Sequence, residues 1–175
     1  MRNDMSGDSG GSRRWSWGLA VGALALAALQ ASQAVAAEQT FTDWRVDCPG
    51  EGRACTASIT SFAEDRTWLS TLRVQPGQAA GELPVQILVP PGVHLASGLF
   101  VAVPGQKIAE ATYLTCTNQA CDARVSISER QLTSWKRARA ARLRYRPSST
   151  APPIEYEVSL MGLTAALGAA AEGVE

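Results

Sequence analysis

Four cysteines, arranged as two close couples, most constrain how this chain can fold. They are the only cysteines among 175 residues, and the couples are Cys48 with Cys55 and Cys116 with Cys121. Four cysteines allow three connectivities. Local pairing would close the necks of two hairpins, and we predict the bonds Cys48–Cys55 and Cys116–Cys121. Zinc is the alternative, but the spacings differ from two-residue knuckles, and the single histidine, His94, adds no second ligand set.

The first 36 residues have the composition of a cleaved signal peptide. Two adjacent arginines precede the apolar run 17–29, and residues 34–36 offer the small-x-small pattern that a signal peptidase needs. The run is shorter than the roughly 20 residues that span a bilayer, which disfavours a membrane anchor. The arginine pair leaves twin-arginine export open beside the general route. We predict a signal peptide over 1–36 and one domain over 37–175.

The charge of the predicted mature domain excludes a strong long-range field. The whole chain carries 16 basic and 16 acidic residues, and residues 1–36 account for three arginines and two aspartates. A nearly neutral domain is not drawn as a whole to nucleic acid or acidic lipid, so such binding would need a local patch. Disulfides persist in oxidising compartments, which agrees with export to the periplasm.

Short alternating segments, cut by proline and glycine, predict a domain that is mainly β. Residues 41–48 alternate in polarity with Trp44 on the core face, and residues 54–62 can return antiparallel after a turn. Further strands are predicted over 68–74, 85–89, 99–103, 111–116 and 121–128. Because no helix lies between these strands, the pattern indicates an antiparallel β-sandwich or a barrel-like domain. Trp68 is assigned to the core face of its strand.

Two short helices are predicted after these strands. Ser128 has the sequence of an N-cap, with a glutamine three positions on, as in a capping box. The helix should run to about residue 139 and bury Leu132, Trp135 and Ala138 on one face. A second helix is predicted within 159–171, where leucines recur at helical spacing among alanines. Together with Trp44 and Trp68, Trp135 is a predicted core anchor.

Between the helices, alternation predicts one hairpin with a defined register. Basic residues alternate with apolar ones over 142–146, and glutamates alternate with apolar ones over 154–158. One register satisfies both faces at once, placing apolar side chains together and opposite charges together. The predicted pairs are Leu143–Tyr156, Tyr145–Ile154, Arg142–Glu157 and Arg144–Glu155.

A basic cluster over 136–146 is the candidate surface for an anionic partner. Its members are Lys136, Arg137, Arg139, Arg142, Arg144 and Arg146. Part of the cluster is explained by surface ion pairs with glutamates on the neighbouring strand of the predicted hairpin. The alternative is a patch that contacts phosphate or an anionic glycolipid. No aromatic stacking platform accompanies it, so no nucleic-acid partner is predicted.

No catalytic, cofactor or metal site is predicted from the sequence. A nucleophile elbow, a phosphate loop and a dinucleotide fingerprint are all missing, and any Ser–His scheme would have to use His94, which has no orienting motif beside it. Neither cysteine couple has the two-residue spacing of a redox catalyst. These features favour a non-enzymatic module, and an envelope hydrolase that uses His94 is the alternative.

Ordered motifs run through the predicted mature chain and carry a resemblance. They are Phe41-x-x-Trp44-x-Val46-x-Cys48, Cys55, Pro91-Gly92-Val93-x-Leu95-x-x-Gly98, Tyr113-x-x-Cys116, Cys121-x-Ala123 and Ser159-Leu160-x-Gly162-Leu163-x-x-Ala166-Leu167. In this order they resemble the invasion-associated locus B family of exported proteins from alphaproteobacteria. The resemblance implies a periplasmic or outer-envelope β-rich domain, with founding members linked to the entry of pathogens into host cells. It carries over no catalytic residues.

The expected function is therefore a binding or interaction module of the cell envelope. Its partner would be another envelope protein or an envelope glycan, contacted through a sheet face or a hairpin tip. A secreted or surface-exposed factor that contacts host cells is the alternative that follows from the resemblance.

Overall fold

The computed structural model describes residues 37–50, 53–77 and 81–173. The predicted signal peptide over 1–36 lies outside these ranges. The described residues form ten strands and two α-helices, with a single 3-10 turn at Leu95–Ser97. The strands are β1 (Ala37–Phe41), β2 (Trp44–Cys48), β3 (Thr56–Phe62), β4 (Trp68–Val74), β5 (Glu82–Val89), β6 (Leu99–Ala102), β7 (Ala109–Cys116), β8 (Cys121–Ser128), β9 (Ala140–Tyr145) and β10 (Ile154–Ser159). The helices are α1 (Glu129–Arg137) and α2 (Leu163–Glu172).

All ten strands belong to one antiparallel sheet that folds over on itself. Its order is β1-β2-β3-β4-β5-β8-β7-β6-β9-β10. Strands β4 and β9 are distant in this order, yet the Tyr145 hydroxyl donates to the Leu69 carbonyl at 3.0 Å. The ends of the sheet also meet, because the Trp44 indole donates to the Ser159 carbonyl at 3.1 Å. The predicted antiparallel sandwich or barrel-like fold is confirmed.

The core lies between the two folded halves of the sheet. Strands such as β5 and β8 alternate buried and less buried positions, so every second side chain points inward. Trp44, Leu72, Ile87, Leu99 and Leu143 are among the largest fully buried side chains. Burying each contributes about 1.5–3 kcal/mol. The side chains that point inward therefore drive closure of the sheet, and those that point outward are available for other roles.

Both predicted disulfides are present at hairpin necks. Cys48–Cys55 joins the end of β2 to the start of the segment leading into β3, and Cys116–Cys121 joins β7 to β8. Cys116 and Cys121 are also directly paired in the ladder. Within the described part of the chain no cysteine is free.

Removing the second disulfide is expected to destabilise the domain without changing its fold. The loop that Cys116–Cys121 closes is short, with a sequence separation of 5, so the chain-entropy estimate is about 2 kcal/mol. Urea unfolding of the Cys116→Ala/Cys121→Ala variant should show a lower midpoint with an unchanged slope. The Cys48→Ala/Cys55→Ala variant should lose more, because Cys55 is fully buried. Equal losses in the two variants would contradict this ranking.

The predicted strand 41–48 is in fact two strands joined by a tight turn. Phe41 ends β1, Trp44 begins β2, and the two residues pair across the turn. Thr42 takes a left-handed φ of 54° and is exposed rather than on the core face. Asp43 is the one residue with a strong turn preference in this reversal, and because no glycine, asparagine or proline accompanies it the signal is weak.

Helix α1 begins at the predicted capping box. The Ser128 N–H donates to Gln131 Oε1 at 2.8 Å, and the Gln131 N–H donates to Ser128 Oγ at 3.4 Å. The helix ends at Arg137 rather than near residue 139, because Ala138 has an extended ψ of 151°. Trp135 is buried as predicted.

Trp68 is only half-buried, so it is not the core anchor that its strand parity predicts. It stands at the start of β4, opposite Phe62, where a bulge at Ser61/Phe62 shifts the register. Its indole N–H donates to Thr71 Oγ1 at 3.1 Å, and Thr71 belongs to the outward parity of β4. The bulge therefore turns this side chain away from the interior.

The register predicted for the β9–β10 hairpin is confirmed at all four pairs. The ion pair within it is diagonal, however. Arg142 Nε lies 3.3 Å from Glu155 Oε1, while Glu157 is the residue directly opposite Arg142. Since both side chains are about half exposed, this pair contributes at most about 1 kcal/mol.

Helix α2, the predicted C-terminal helix, covers the β1–β3 end of the sheet. It buries Leu163, Ala166, Leu167 and Ala170 and contacts β2 more than β1 or β3. Neither α1 nor α2 is long and apolar enough to cross a bilayer, and the described ranges contain no other α-helix.

Candidate functional site

A polar depression lies on the outward face of β2, β3, β4, β5 and β8. We term it the outer trough; its volume is about 330 Å³. Its lining residues are Asp47, Thr56, Ser58, Arg73, Gln75, Pro84, Gln86 and Arg124. Their immediate neighbours in the strands are core residues such as Val74 and Val85. The same alternation that builds the core therefore collects these polar side chains outside it.

One row of paired residues begins at Arg45, which is not among the lining residues, and crosses the outer trough to Arg124. Arg45 pairs with Ser58, Ser58 with Arg73, Arg73 with Gln86, and Gln86 with Arg124. Residues directly opposite one another on adjacent strands project from the same face. Arginines therefore alternate with neutral polar side chains across five strands. We term Arg45, Arg73 and Arg124 the arginine row.

The charges in the trough are only partly compensated. The Arg124 guanidinium lies 3.7 Å from Asp122 Oδ2, and the Gln86 amide donates to the same oxygen at 2.7 Å. Arg73 forms no ion pair within the described ranges and is exposed. A guanidinium that keeps its donors directed to solvent is suited to an external carboxylate or phosphate.

The predicted basic cluster is spread over α1, β9 and the chain beyond it. Lys136 and Arg137 are exposed in the last turn of α1. Arg142 and Arg144 point outward from β9, where the glutamates of β10 lie opposite them. The Arg146 guanidinium donates to the Ala151 carbonyl at 2.9 Å. The remaining member, Arg139, is exposed between α1 and β9. Acidic neighbours therefore offset much of the charge on β9.

His94 has a serine neighbour, although no partner beside it was predicted from the sequence. Its Nδ1 lies 2.7 Å from Ser97 Oγ, and the Ser97 N–H donates to the His94 carbonyl at 3.0 Å. These contacts close the short turn before β6. In the described ranges no group of three or more His, Cys, Asp or Glu side chains could hold a metal ion.

Three tyrosines and one serine converge between the folded halves of the sheet. The Tyr145 and Tyr156 rings meet edge to face with centroids 6.3 Å apart. The hydroxyls of Ser70, Tyr113 and Tyr156 are buried without a well-formed hydrogen bond in the described ranges, although Ser70 lies close enough to Tyr156 to offset part of the rise that burial causes in its pKa. Burial is the main influence, and it raises the pKa of Tyr113 and of Tyr145 to about 12 and that of Tyr156 further.

Stability is therefore expected to fall at alkaline pH. In the unfolded chain the tyrosines ionise near their ordinary pKa of 10.0, whereas Tyr113 and Tyr145 ionise near a pKa of about 12 in the folded chain. The unfolded state thus releases protons first, and stability is lost as pH rises through this window. Urea midpoints measured across it, with tyrosinate absorbance followed in parallel, test the expectation.

Tyr113→Phe is the informative variant for this titration. The Tyr113 hydroxyl forms no well-aligned hydrogen bond in the described ranges, so stability near neutral pH should change little while the alkaline loss becomes smaller. An alkaline loss of the same size in Tyr113→Phe would contradict the assignment of the effect to this cluster.

Comparison with known proteins identifies the family. The model of the family described as "Invasion associated locus B (IalB) protein" matches residues 44–171. The chain belongs to this family. The invasion associated locus B match begins at Trp44, the first residue of β2, and ends within α2, so it spans nearly all of the described fold.

Curated relatives and a solved structure agree with the invasion associated locus B assignment. Two proteins called invasion protein B homologs, from Brucella abortus strain 2308 and from biovar 1 strain 9-941, are each 27% identical over 134 residues, covering 74% of this chain and 76% of theirs. The crystal structure of invasion associated protein B from Bartonella henselae matches with a TM-score of 0.68 at 18% identity, over 78% of this chain and 96% of that one. At this identity the structural match supports the fold.

The motifs that carry the invasion associated locus B resemblance are mainly packing elements. Trp44 and Leu163 are fully buried, the cysteines form disulfides, and Gly162 caps α2. No residue of the outer trough belongs to these motifs. The family is named for invasion rather than for a reaction, so membership establishes the fold and leaves the ligand to be argued from this chain's own surface.

Sequence reasoning missed the outer trough because its parts are far apart in the chain. Ser58, Arg73 and Arg124 occupy outward positions of β3, β4 and β8. The alternation of polar and apolar residues in the sequence identifies each of these residues as solvent-facing. It does not show that they lie close together. The pairing of β5 with β8 brings these residues together. In the chain, β6 and β7 lie between these two strands.

Proposed function

We propose that this protein is a non-enzymatic interaction module of the cell envelope that binds its partner through the outer trough. The observation that carries the proposal is Arg73, an exposed guanidinium without an ion-pair partner in the described ranges, in a depression lined by hydroxyl, amide and charged groups. A rigid sheet holds these groups, so binding would need little ordering of the protein.

Export to the periplasm is the compartment this proposal requires. It is supported by the signal-peptide composition of residues 1–36 and by two disulfides, which persist in oxidising compartments. A disulfide-bonded domain of this kind would meet envelope proteins and glycans directly after export.

Site-specific crosslinking in intact cells tests the binding surface. A photoreactive residue at Ser126, which is exposed and pairs with the trough residue Pro84, should yield one enriched envelope species on gels and by mass spectrometry. The matched control is the same group at Ser149, exposed in the β9–β10 connection. Equal yields from both positions, or hydrolysis of an envelope substrate by the pure protein with no captured partner, would overturn the proposal.

A hydrolase is the second candidate, favoured by the contact of 2.7 Å between His94 Nδ1 and Ser97 Oγ. In this scheme Ser97 would be the nucleophile and His94 the base. Hydrolysis of an envelope substrate that disappears in both His94→Ala and Ser97→Ala would support it. Unchanged cell phenotypes in both variants would count against it.

Contact with host cells is the third candidate, favoured by the word invasion in the names of the Brucella and Bartonella proteins. It requires exposure on the cell surface. Digestion of the protein by protease added to intact cells would support this role, and full protection would exclude it.

A further inference from the structure

We propose that the ligand of the outer trough is an acidic polysaccharide, a glycan with carboxylates on its sugar rings, lying across the strands along the arginine row. This inference rests on the proposed function and names its ligand class. Four observations carry it: the spacing of the arginines, the neutral groups between them, the acidic groups beside them and the lack of an apolar or aromatic platform in the lining.

The arginine row presents positive charges at regular intervals. Arg45 and Arg73 are separated by one strand, as are Arg73 and Arg124. Strands lie about 4.8 Å apart, so neighbouring arginines start about 10 Å from one another. That interval is comparable with one disaccharide. A polymer with a carboxylate on regularly spaced rings could therefore meet successive guanidinium groups.

The neutral side chains that lie between the arginines of the arginine row are suited to hydrogen bonds with sugar hydroxyls. Ser58 and Gln86 lie between the arginines and are partly buried, while Arg73 and Arg124 are exposed beside them. Hydroxyl and amide groups both donate and accept hydrogen bonds, as sugar hydroxyls do. Arginine can receive a ring carboxylate in a bidentate pair. Groups that can pair with ring carboxylates therefore alternate with groups that can form hydrogen bonds with sugar hydroxyls.

Acidic groups near the row disfavour a phosphate polymer. Asp47 lines the trough, Asp122 holds Arg124, and Glu38 lies 3.1 Å from Arg45. These carboxylates can accept hydrogen bonds from the hydroxyls of a sugar ring, whereas a phosphodiester group has no hydrogen to donate to them. Nucleic acid bound as single strands also needs aromatic stacking platforms, and the trough lining contains no aromatic residue.

A lipid tail is disfavoured by the same surface. The trough lining contains Pro84 as its one residue without a polar side chain. Ile108 and Leu114, two large exposed apolar side chains, lie outside the trough strands, and the exposed Phe62 at the end of β3 is not part of the lining. An acyl chain would find little apolar surface here, so the polar part of an acidic glycan is the better match.

Calorimetric titration of the purified full chain with polygalacturonate tests the proposal. Dextran serves as the neutral polymer and oligothymidylate as the phosphate polymer. Polygalacturonate should bind, with affinity that falls as salt rises, and the other two should bind at least tenfold more weakly. Arg73→Gln and Arg124→Gln should each weaken binding of polygalacturonate about tenfold, through loss of a charge-assisted contact. Arg73→Lys should lose less.

The matched control is Arg130→Gln, which removes the same charge from an exposed position on α1. It should bind polygalacturonate as the unmodified chain does, and all variants should keep their urea midpoints. Equal weakening in Arg130→Gln would reduce the effect to net charge, and tighter binding of oligothymidylate would replace the glycan by a phosphate polymer. Either result overturns the inference.

The crosslinking experiment separates failure of this inference from failure of the proposed function. A species captured from Ser126 but not from Ser149, together with no binding of polygalacturonate, would remove the glycan and keep the trough as a binding surface. Loss of position-dependent capture together with no binding of polygalacturonate would remove both.

Discussion

Replacing Trp44 with alanine is expected to lower the free energy of unfolding by about 3–5 kcal/mol, as for other large aromatic side chains removed from a core. Trp44 is fully buried, and its indole donates to the Ser159 carbonyl at 3.1 Å. The substitution thus creates a cavity and leaves a carbonyl of β10 without this donor. Urea unfolding of the oxidised protein measures the loss.

Trp68→Ala is the matched control for this prediction. The same side chain is removed from the same sheet, but Trp68 is half-buried and donates to the Thr71 hydroxyl at 3.1 Å. Because less apolar surface returns to water, its cost should be roughly half that of Trp44→Ala or less. Equal costs for the two variants would contradict the different roles that the structure gives these tryptophans.

Trp44→Phe separates the hydrogen bond from the burial. It keeps most of the apolar ring but removes the donor to Ser159, so the loss should lie between those of the alanine variant and the unmodified chain. Hydrogen exchange should show increased opening near Ser159 and Met161, where the two ends of the sheet meet. Unchanged protection there would indicate that the indole donor does little to hold the ends together.

The sequence correctly predicted the structural features that depend on residues close together in the chain. The register of β9 and β10 follows from two faces that must both be consistent, and all four predicted pairs are present. The capping box at Ser128 depends on residues three positions apart. By contrast, the reversal at Thr42 and the bulge beside Phe62 have no glycine or proline to mark them, so the wrong strand limits and the misplaced Trp68 both follow from weak local signals.

The outer trough could not be predicted because it depends on the order of strands. The alternation along each strand alone places Arg73, Gln86 and Arg124 at solvent-facing positions. These three positions form one surface only if β4, β5 and β8 are neighbours in the sheet. Adjacent strands in sequence are the default expectation, and β6 and β7 would then have separated them. Long-range pairing of β5 with β8 thus creates the candidate site.

Gly162→Ala is expected to destabilise the protein by about 2–5 kcal/mol, because backbone strain and overpacking act together. Gly162 has a left-handed φ of 94°. A Cβ there would overlap the Phe41 carbonyl oxygen and lie 2.8 Å from its carbon. Relief requires α2 to move away from the β1–β2 turn, where the Asp43 N–H donates to the Met161 carbonyl at 3.3 Å.

Gly168→Ala provides the same substitution six residues further along the chain. Gly168 lies inside α2, and a Cβ there would have no heavy atom within 4 Å, so helix propensity should stabilise the protein by about 0.5–1 kcal/mol. The two variants should therefore shift the urea midpoint in opposite directions. Hydrogen exchange adds a second test, since Gly162→Ala should expose α2 and the β1–β2 turn before the β5–β8 ladder. Midpoints that move in the same direction would show that the close approach of Gly162 to Phe41 does not hold α2 on the sheet.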